Sequence, residues 1–339
     1  MAADIELRRH SPVRRLTGVR LVATGSYVPE QIVTNADLAA LGFDEEWIVQ
    51  RTGIRERRFA PPEMATSDVA TEAARRCMEA ADVKPADIDL VILGTYSADM
   101  PVPASACRVQ DNLGISAAAF DVQAACAGFM YSLVTASQFV VAGTSQLALV
   151  MGADCNSRAI NPDDKKTYPL FGDGGGAVLL SKGTDEQGLL AYTLGSDGAG
   201  RDLLCRPMGG SRIPPSQEAM ARGDQYLYMN GRPVFKWAVR LLDETIHAVL
   251  DRAQLTLDDI DLFVMHQANR RILDAAAEAM DIDPHKVAIN VDRYGNTSAG
   301  SIPLTLDEAH RAGRVGPGSR LCLSGFGAGL SWGTAIWQW

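Results

Sequence analysis

Two rhythms alternate along this chain. Ile88 to Thr95 (IDLVILGT) is a continuous apolar run between polar turns, the pattern of a strand buried on both faces, whereas Asp68 to Ala81 spaces its apolar residues at helical intervals. The pattern predicts a strand in LTGVRLVATGSYVP, a helix over Val102 to Leu113, a strand over Ala117 to Val122 and a helix over Ala127 to Ala142. Strands follow over Ser145 to Gly152 and in the second half of FGDGGGAVLLS, and another over Leu262 to Met265. Regular alternation of this kind predicts a layered α/β fold. Residues 1–15 are polar and basic and read as a loosely ordered arm, while Ser196 to Met229, rich in Gly, Pro and Arg, reads as an irregular insertion before a helix near Pro233.

The two halves resemble each other. Asp87-Ile88-Asp89-Leu90 recurs as Asp259-Ile260-Asp261-Leu262, FDVQAACAG around Cys126 faces INVDRYGNTSAG around Asn296, and Phe171-Gly172-Asp173-Gly174 faces Phe326-Gly327-Ala328-Gly329. Three matches in the same order predict a duplicated α/β unit, with halves over 16–185 and 186–339 and a boundary near Ser181 to Leu190.

Composition narrows the function. Hydrophobic residues at 47% and charged residues at 22% are ordinary for a globular chain, and 339 residues suffice for about two domains. A formal net charge of −9 argues against nucleic acid or an anionic membrane as a global partner, though a local basic patch remains compatible with an anionic ligand. The six cysteines form no C-x-x-C pair and no histidine stands at zinc-ligand spacing from them, so neither a structural metal nor a disulfide framework is expected. With no signal-peptide pattern and no apolar stretch of about 18 residues, the expected location is the cytoplasm.

Candidate chemistry concentrates at three places. Cys126 lies among small residues in Ala124-Ala125-Cys126-Ala127-Gly128, between a strand and a long helix, where orphan N–H groups and the helix dipole favour a thiolate. A buried structural cysteine is the commoner role, and Cys77 and Cys322 are read that way. His266 ends a strand and opens His266-Gln267-Ala268-Asn269; His10, His247, His285 and His310 fall in the arm, on helix surfaces or in a turn. Asn296, in Gly295-Asn296-Thr297-Ser298-Ala299-Gly300, is either a turn residue or the counterpart of Cys126 in the duplication. The segment Gly172 to Ala177 matches a dinucleotide fingerprint formally, but a strand follows it where that motif needs a helix, so close backbone packing explains its glycines better.

From about Leu16 to Trp339 the chain resembles β-ketoacyl-[acyl carrier protein] synthase III of the thiolase-like superfamily. The resemblance rests on Glu46-Trp47-Ile48-Val49 with Arg51-Thr52-Gly53-Ile54, the Cys126 motif, Phe171-Gly172-Asp173-Gly174, His266-Gln267-Ala268-Asn269, Gly295-Asn296-Thr297-Ser298 and Gly325-Phe326-Gly327. It implies a homodimer of duplicated, five-layered αβαβα subunits with a catalytic triad at Cys126, His266 and Asn296. No metal or bound cofactor is implied, coenzyme A thioester being a substrate. The implied reaction is a decarboxylative condensation of an acyl-CoA primer with malonyl-[acyl carrier protein], which initiates type II fatty acid synthesis.

The same resemblance assigns supporting residues. Trp47 and Arg51 would clasp the adenine, with Lys165 as a second basic group; Asn269 would meet the pantetheine arm; and Phe171, with Phe326 and Val102, would line the acyl site. Backbone N–H groups of Cys126 and of the Phe326 to Gly329 loop would form the oxyanion hole, with Ala328 standing where the family usually has glycine. Lys236 and Arg240, four apart on one helix face, and Arg270 and Arg271 beside the histidine would receive the acidic acyl carrier protein; a merely solvated helix face is the other reading of the first two. Val102 replaces a bulkier phenylalanine common in the family at the dimer-contributed end of the pocket, which implies longer or branched primers. Alternatives are a condensing enzyme or acyltransferase of secondary metabolism with another acceptor or extender, a papain-like hydrolase, a plant-type polyketide synthase, and a non-catalytic carrier-binding subunit, the last disfavoured by the retained cysteine.

Overall fold

The computed structural model describes residues 11–42 and 44–339; His10 and most of the expected arm lie outside them. The first half contains strands β1 (Arg14–Thr17), β2 (Val19–Tyr27) and β3 (Ile32–Thr34), helix α1 (Glu45–Thr52), β4 (Glu56–Arg58), α2 (Thr66–Ala80), β5 (Leu90–Gly94), α3 (Ser105–Asn112), β6 (Ala118–Val122), α4 (Gly128–Val141), β7 (Leu147–Asp154) and β8 (Gly174–Lys182). The second contains β9 (Gly188–Ser196), β10 (Leu204–Cys205), α5 (Gln217–Ala221), β11 (Tyr228–Met229), α6 (Gly231–Ala253), β12 (Leu262–Met265), α7 (Arg270–Ala279), α8 (Val291–Tyr294), α9 (Ser301–Arg311), β13 (Arg320–Gly327) and β14 (Ser331–Gln338).

Two five-stranded sheets carry the fold, ordered β2-β8-β7-β5-β6 and β1-β9-β14-β13-β12. Strand by strand they correspond: β5 runs parallel to β7 as β12 runs parallel to β13, and β8 and β14 return antiparallel beside them. Period-two alternation then sorts the side chains into layers. Leu90, Ile92, Val150, Val264 and Leu323 point inward to a shared core with Phe129, Leu133, Ile302 and Leu306 of α4 and α9. Val91, Leu93, Leu149 and Met151 point outward to α2 and α3, whereas Phe263, Met265 and Cys322 point to α6 and α7. The result is a five-layered αβαβα arrangement with α4 and α9 as its central layer. α4 is apolar on most sides because sheets cover it on both.

Three details depart from the sequence reading. The arm does not reach residue 15: Arg14–Thr17 form a strand that pairs with β9, so the chain's start completes the sheet of the second half. The helix expected from Val102 begins only at Ser105, since Pro103 cannot donate a helical N–H and restricts the residue before it. The paired tetrapeptides at Phe171 and Phe326 hold different places, Phe326 lying inside β13 and Phe171 ahead of β8. The segment Gly174–Lys182 is a strand, as its apolar run predicts, and the six cysteines are unpaired. No helix among the described residues is long and apolar enough to cross a membrane.

The halves meet backbone to backbone. A Cβ on Gly152, at the end of β7, would collide with the carbonyl of Ala299, and one on Gly300 would collide with that of Gly174. Neither neighbour is a flexible side chain that can turn away. Gly152→Ala is therefore expected to destabilise the protein by about 1–3 kcal/mol, read as a lowered denaturant midpoint with unchanged slope.

Candidate active site

The loops at the carboxyl ends of β5, β6, β12 and β13 converge on a cavity of about 950 Å³, the place where open α/β sheets present their ligands. Cys126, His266 and Asn296 line it together, although 140 residues of chain separate the first two. Its apolar wall includes Phe171, Leu204 and Leu227, with Tyr96 and Met229 packed against them and Ile160 behind.

Cys126 sits in a 3-10 turn, Ala125–Ala127, immediately ahead of α4 rather than inside the helix. Ala125 holds φ 46°, a left-handed conformation costly for a residue with a Cβ. In the second half the corresponding turn, Ser298–Gly300 ahead of α9, opens on Ser298 at φ 53°. The duplication therefore repeats a strained turn at both edges of the site. A Cβ on Gly327 would lie 2.8 Å from the Cys126 nitrogen, so only glycine lets β13 pass the nucleophile. Burial pushes the Cys126 thiol up to about 12, while the Ser298 hydroxyl, 3.3 Å from Sγ, and the residue's own N–H pull it down, so the helix terminus works against a desolvation cost.

His266 is 1% exposed, and burial alone lowers its pKa to about 3, so the imidazole is neutral. Nδ1 lies 2.7 Å from the Ser301 hydroxyl, and that oxygen already accepts the Gln267 N–H at 3.4 Å. Ser301 is thus placed to give its proton to Nδ1, which leaves the N–H on Nε2. The ring is also held edge-on to Phe326, with centroids 5.2 Å apart. Asn296 is fixed by backbone pairing with Phe171 and by its Oδ1, which accepts the Ser298 N–H at 2.8 Å. That leaves Nδ2 as its available donor. Both halves of the site therefore offer hydrogen-bond donors, not charges.

The remaining expected residues divide by place. Phe171, Asn269, Phe326 and Ala328 line the cavity. Asn269 has a further role, its Oδ1 capping α7 at Arg271 N and its Nδ2 bonding the Arg51 carbonyl, which ties α1 to the cavity rim. Trp47 and Arg51 share one face of α1, the guanidinium 5.7 Å from the ring centroid, and Lys165 stands beside Gly42 in the segment leading into α1; none of these three lines the cavity. Val102 is 81% exposed, next to the cavity residues Met100 and Pro101 but outside the cavity itself. Lys236, Arg240, Arg270 and Arg271 lie on α6 and α7, whose first turns supply Val234, Phe235 and Ile272 to the cavity wall. Arg240 pairs with Glu244 and Arg270 with Asp274, whereas Arg271 lies over the Phe235 ring. Tyr96, Leu204, Leu227 and Met229 were missed. The last three sit in the insertion, where two-residue strands are too short to show a period.

Known proteins similar to this chain fall in one family of synthases. Models for 3-oxoacyl-[acyl-carrier-protein] synthase III match residues 120–198 and, for its C-terminal part, 250–339. The β-ketoacyl-[acyl-carrier-protein] synthase III of Rhodopirellula baltica is 52% identical, the alignment covering 96% of this chain and 99% of that one. The solved synthase III of Thermus thermophilus is 42% identical with a TM-score of 0.88, covering 94% and 99% of the two chains. The priming β-ketosynthase of the R1128 polyketide pathway is 34% identical, also at 0.88, covering 98% of each.

A buried neutral histidine carries a pH signature. Unfolded histidine binds a proton below its ordinary 6.5, but His266 resists protonation until about 3, so the folded state loses stability as pH falls through that window. The melting temperature should drop from pH 6.5 towards 3, and His266→Leu should flatten the drop. With the cavity, the neutral donors and the relatives pointing one way, this chain belongs to the β-ketoacyl-[acyl-carrier-protein] synthase III family.

Proposed function

We infer that this protein condenses an acyl-CoA primer with malonyl-[acyl carrier protein] to a β-ketoacyl-[acyl carrier protein], the first condensation of type II fatty acid synthesis. The observation that carries the reading is the convergence of a thiol and two neutral donors, Cys126, His266 and Asn296, on one apolar-walled cavity. Cys126 attacks the primer thioester, CoA leaves, and the acyl group rests on sulfur beside Phe171 and Leu204. The N–H groups of Cys126 and Ala328 are the proposed oxyanion donors. Malonyl thioester then enters. Its carbonyl oxygen accepts from His266 Nε2 and Asn296 Nδ2, decarboxylation leaves an enolate, and the enolate carbon attacks the acyl-cysteine. Loss of CO₂ supplies the electron pair, so no base has to remove a proton from carbon.

Intact mass after incubation with a panel of acyl-CoAs should show one acyl adduct, absent in Cys126→Ala. His266→Ala and Asn296→Ala should keep the adduct yet lose about 10²- to 10³-fold in its discharge by malonyl-[acyl carrier protein]. Adduct formation on Cys126→Ala would overturn the reading. Release of free acid in place of ketoacyl product would favour a hydrolase, and discharge by an alcohol or amine the secondary-metabolism alternative.

Trp47 and Arg51 are the proposed adenine clasp, with Lys165 near the phosphates and Asn269 on the pantetheine arm. Lys236, Arg240, Arg270 and Arg271 are the proposed docking surface for the acidic carrier, the carboxylates of Glu244 and Asp274 trimming its charge. A homodimer is proposed through the edge strand β6, where Phe120 packs on Phe139, and the exposed Val141 continues the apolar surface. The solvated Val102, beside the cavity lip, would then close the partner's acyl site. Val102→Phe should shift turnover towards the smallest primers by about 10-fold or more, and Phe139→Asp should lower both the mass measured by light scattering and the rate. An unchanged primer preference would remove Val102 from the site.

A further inference from the structure

Three residues of the apolar wall, Leu204, Leu227 and Met229, come from the insertion, whereas Tyr96 comes from the turn after β5 and packs on the same cluster. An aromatic side chain on a cavity wall can change rotamer and make way for a ligand when only its backbone is fixed. Tyr96 is held at both ends. At the backbone end, Asp154 Oδ1 accepts the Tyr96 N–H at 3.0 Å, the Thr95 hydroxyl at 2.7 Å, and the Ser97 hydroxyl and N–H at 2.8 and 3.1 Å. At the far end, the Tyr96 hydroxyl donates to Asn156 Oδ1 at 2.7 Å. Burial first, and then the charge of Asp154, push that hydroxyl well above its ordinary value, so it remains a donor.

Asn156 is fully buried and does not line the cavity, so the Tyr96 ring stands between the cavity and this amide. Asn156 Nδ2 donates to the Gly172 carbonyl at 2.5 Å and to the Asn296 carbonyl at 3.3 Å. With the nitrogen turned to those carbonyls, the oxygen faces Tyr96, whose hydroxyl is the one donor that meets it among the described residues. Swinging the ring aside would leave a buried acceptor unpaired, which keeps the ring in place. The same amide ties the wall to the chemistry. Gly172 follows Phe171, Phe171 pairs with Asn296, and Asn156 holds a carbonyl of each strand of that bridge.

We propose that Tyr96, latched by its hydroxyl to Asn156, is a specificity-determining residue that limits the length of the primer. The inference rests on the reading of Cys126 as the acyl acceptor, with the acyl group seated beside Phe171 and Leu204. A chain short enough to stop at the ring gains the apolar wall. A longer one meets a side chain that is fixed at both ends, and each methylene left outside the wall forfeits its transfer free energy. Forcing it inside costs more, because a packed wall resists added volume. Tyr96 acts separately from Val102: the small Val102 concedes room at the lip, and Tyr96 withholds it at the wall.

The test follows the rate of acyl adduct formation by intact mass in the whole protein, with butyryl-CoA or octanoyl-CoA supplied separately and no malonyl-[acyl carrier protein]. The unaltered protein should take octanoyl about 10²-fold more slowly than butyryl. Tyr96→Ala should raise the octanoyl-to-butyryl ratio by about 10²-fold. Tyr96→Phe keeps the ring but frees it from Asn156, and should raise the ratio by about 3-fold. Because the readout is a ratio of two primers, a general loss of activity cancels, and Tyr96→Phe keeps the test available if Tyr96→Ala does not fold. Equal rates for both primers in the unaltered protein, or an unchanged ratio in Tyr96→Ala, overturn the length limit and leave the nucleophile in place. A ratio raised in Tyr96→Ala but not in Tyr96→Phe supports the wall and overturns the latch. No adduct with either thioester overturns the nucleophile and the length limit together.

Discussion

Everything at this site depends on how closely two copies of one α/β unit approach each other. Gly152 against Ala299, Gly174 against Gly300 and Gly327 against Cys126 are contacts in which backbone takes the place normally filled by side chains. They let the turn before α4 and the turn before α9 face each other directly. Each turn then contributes one reactive amide or thiol, and each holds a left-handed residue, Ala125 or Ser298, in place by its surroundings. Larger residues at these positions would separate the halves and with them the nucleophile from its donors.

Close approach also dries the site. Cys126, His266 and Asp154 are all buried, and burial moves each towards its neutral form. A charged imidazole would be costly there, and the chemistry does not need one. It needs donors aimed where an enolate oxygen forms. Fixed dipoles in a low-dielectric cavity act more strongly than the same groups in water and do not reorganise during the reaction. Ser301 and Ser298 are the small residues that set this up, one on the imidazole and one on the sulfur.

Charge is distributed differently at the surface. The acidic balance of the chain leaves α6 and α7 as the place where basic residues gather beside the cavity, but Glu244 and Asp274 sit among them. The charge there is therefore mixed rather than uniformly basic. The cavity interior is apolar by contrast, built largely by the insertion through Leu204, Leu227 and Met229.

The sequence alone determined the layered fold and pointed to the doubling and to Cys126, His266 and Asn296 as candidates, because each leaves a local mark. Apolar runs give buried strands such as Leu90–Gly94, helical spacing gives α2, and a cysteine and a histidine follow strands while an asparagine sits in a Gly-Asn turn after α8. Only the tertiary structure decided which groups are charged and who their partners are. Nothing in the string around Cys126 shows that burial opposes its ionisation, that Ser301 fixes His266, or that Asp154 holds the Ala299 N–H, because those contacts join residues 35 to more than 140 positions apart. The strand Arg14–Thr17 escaped for the same reason: four residues carry no period, and their partner, β9, lies more than 170 residues away. Periodicity reports the face a residue shows to its own element, whereas protonation and pairing depend on what the other half of the molecule brings to that face.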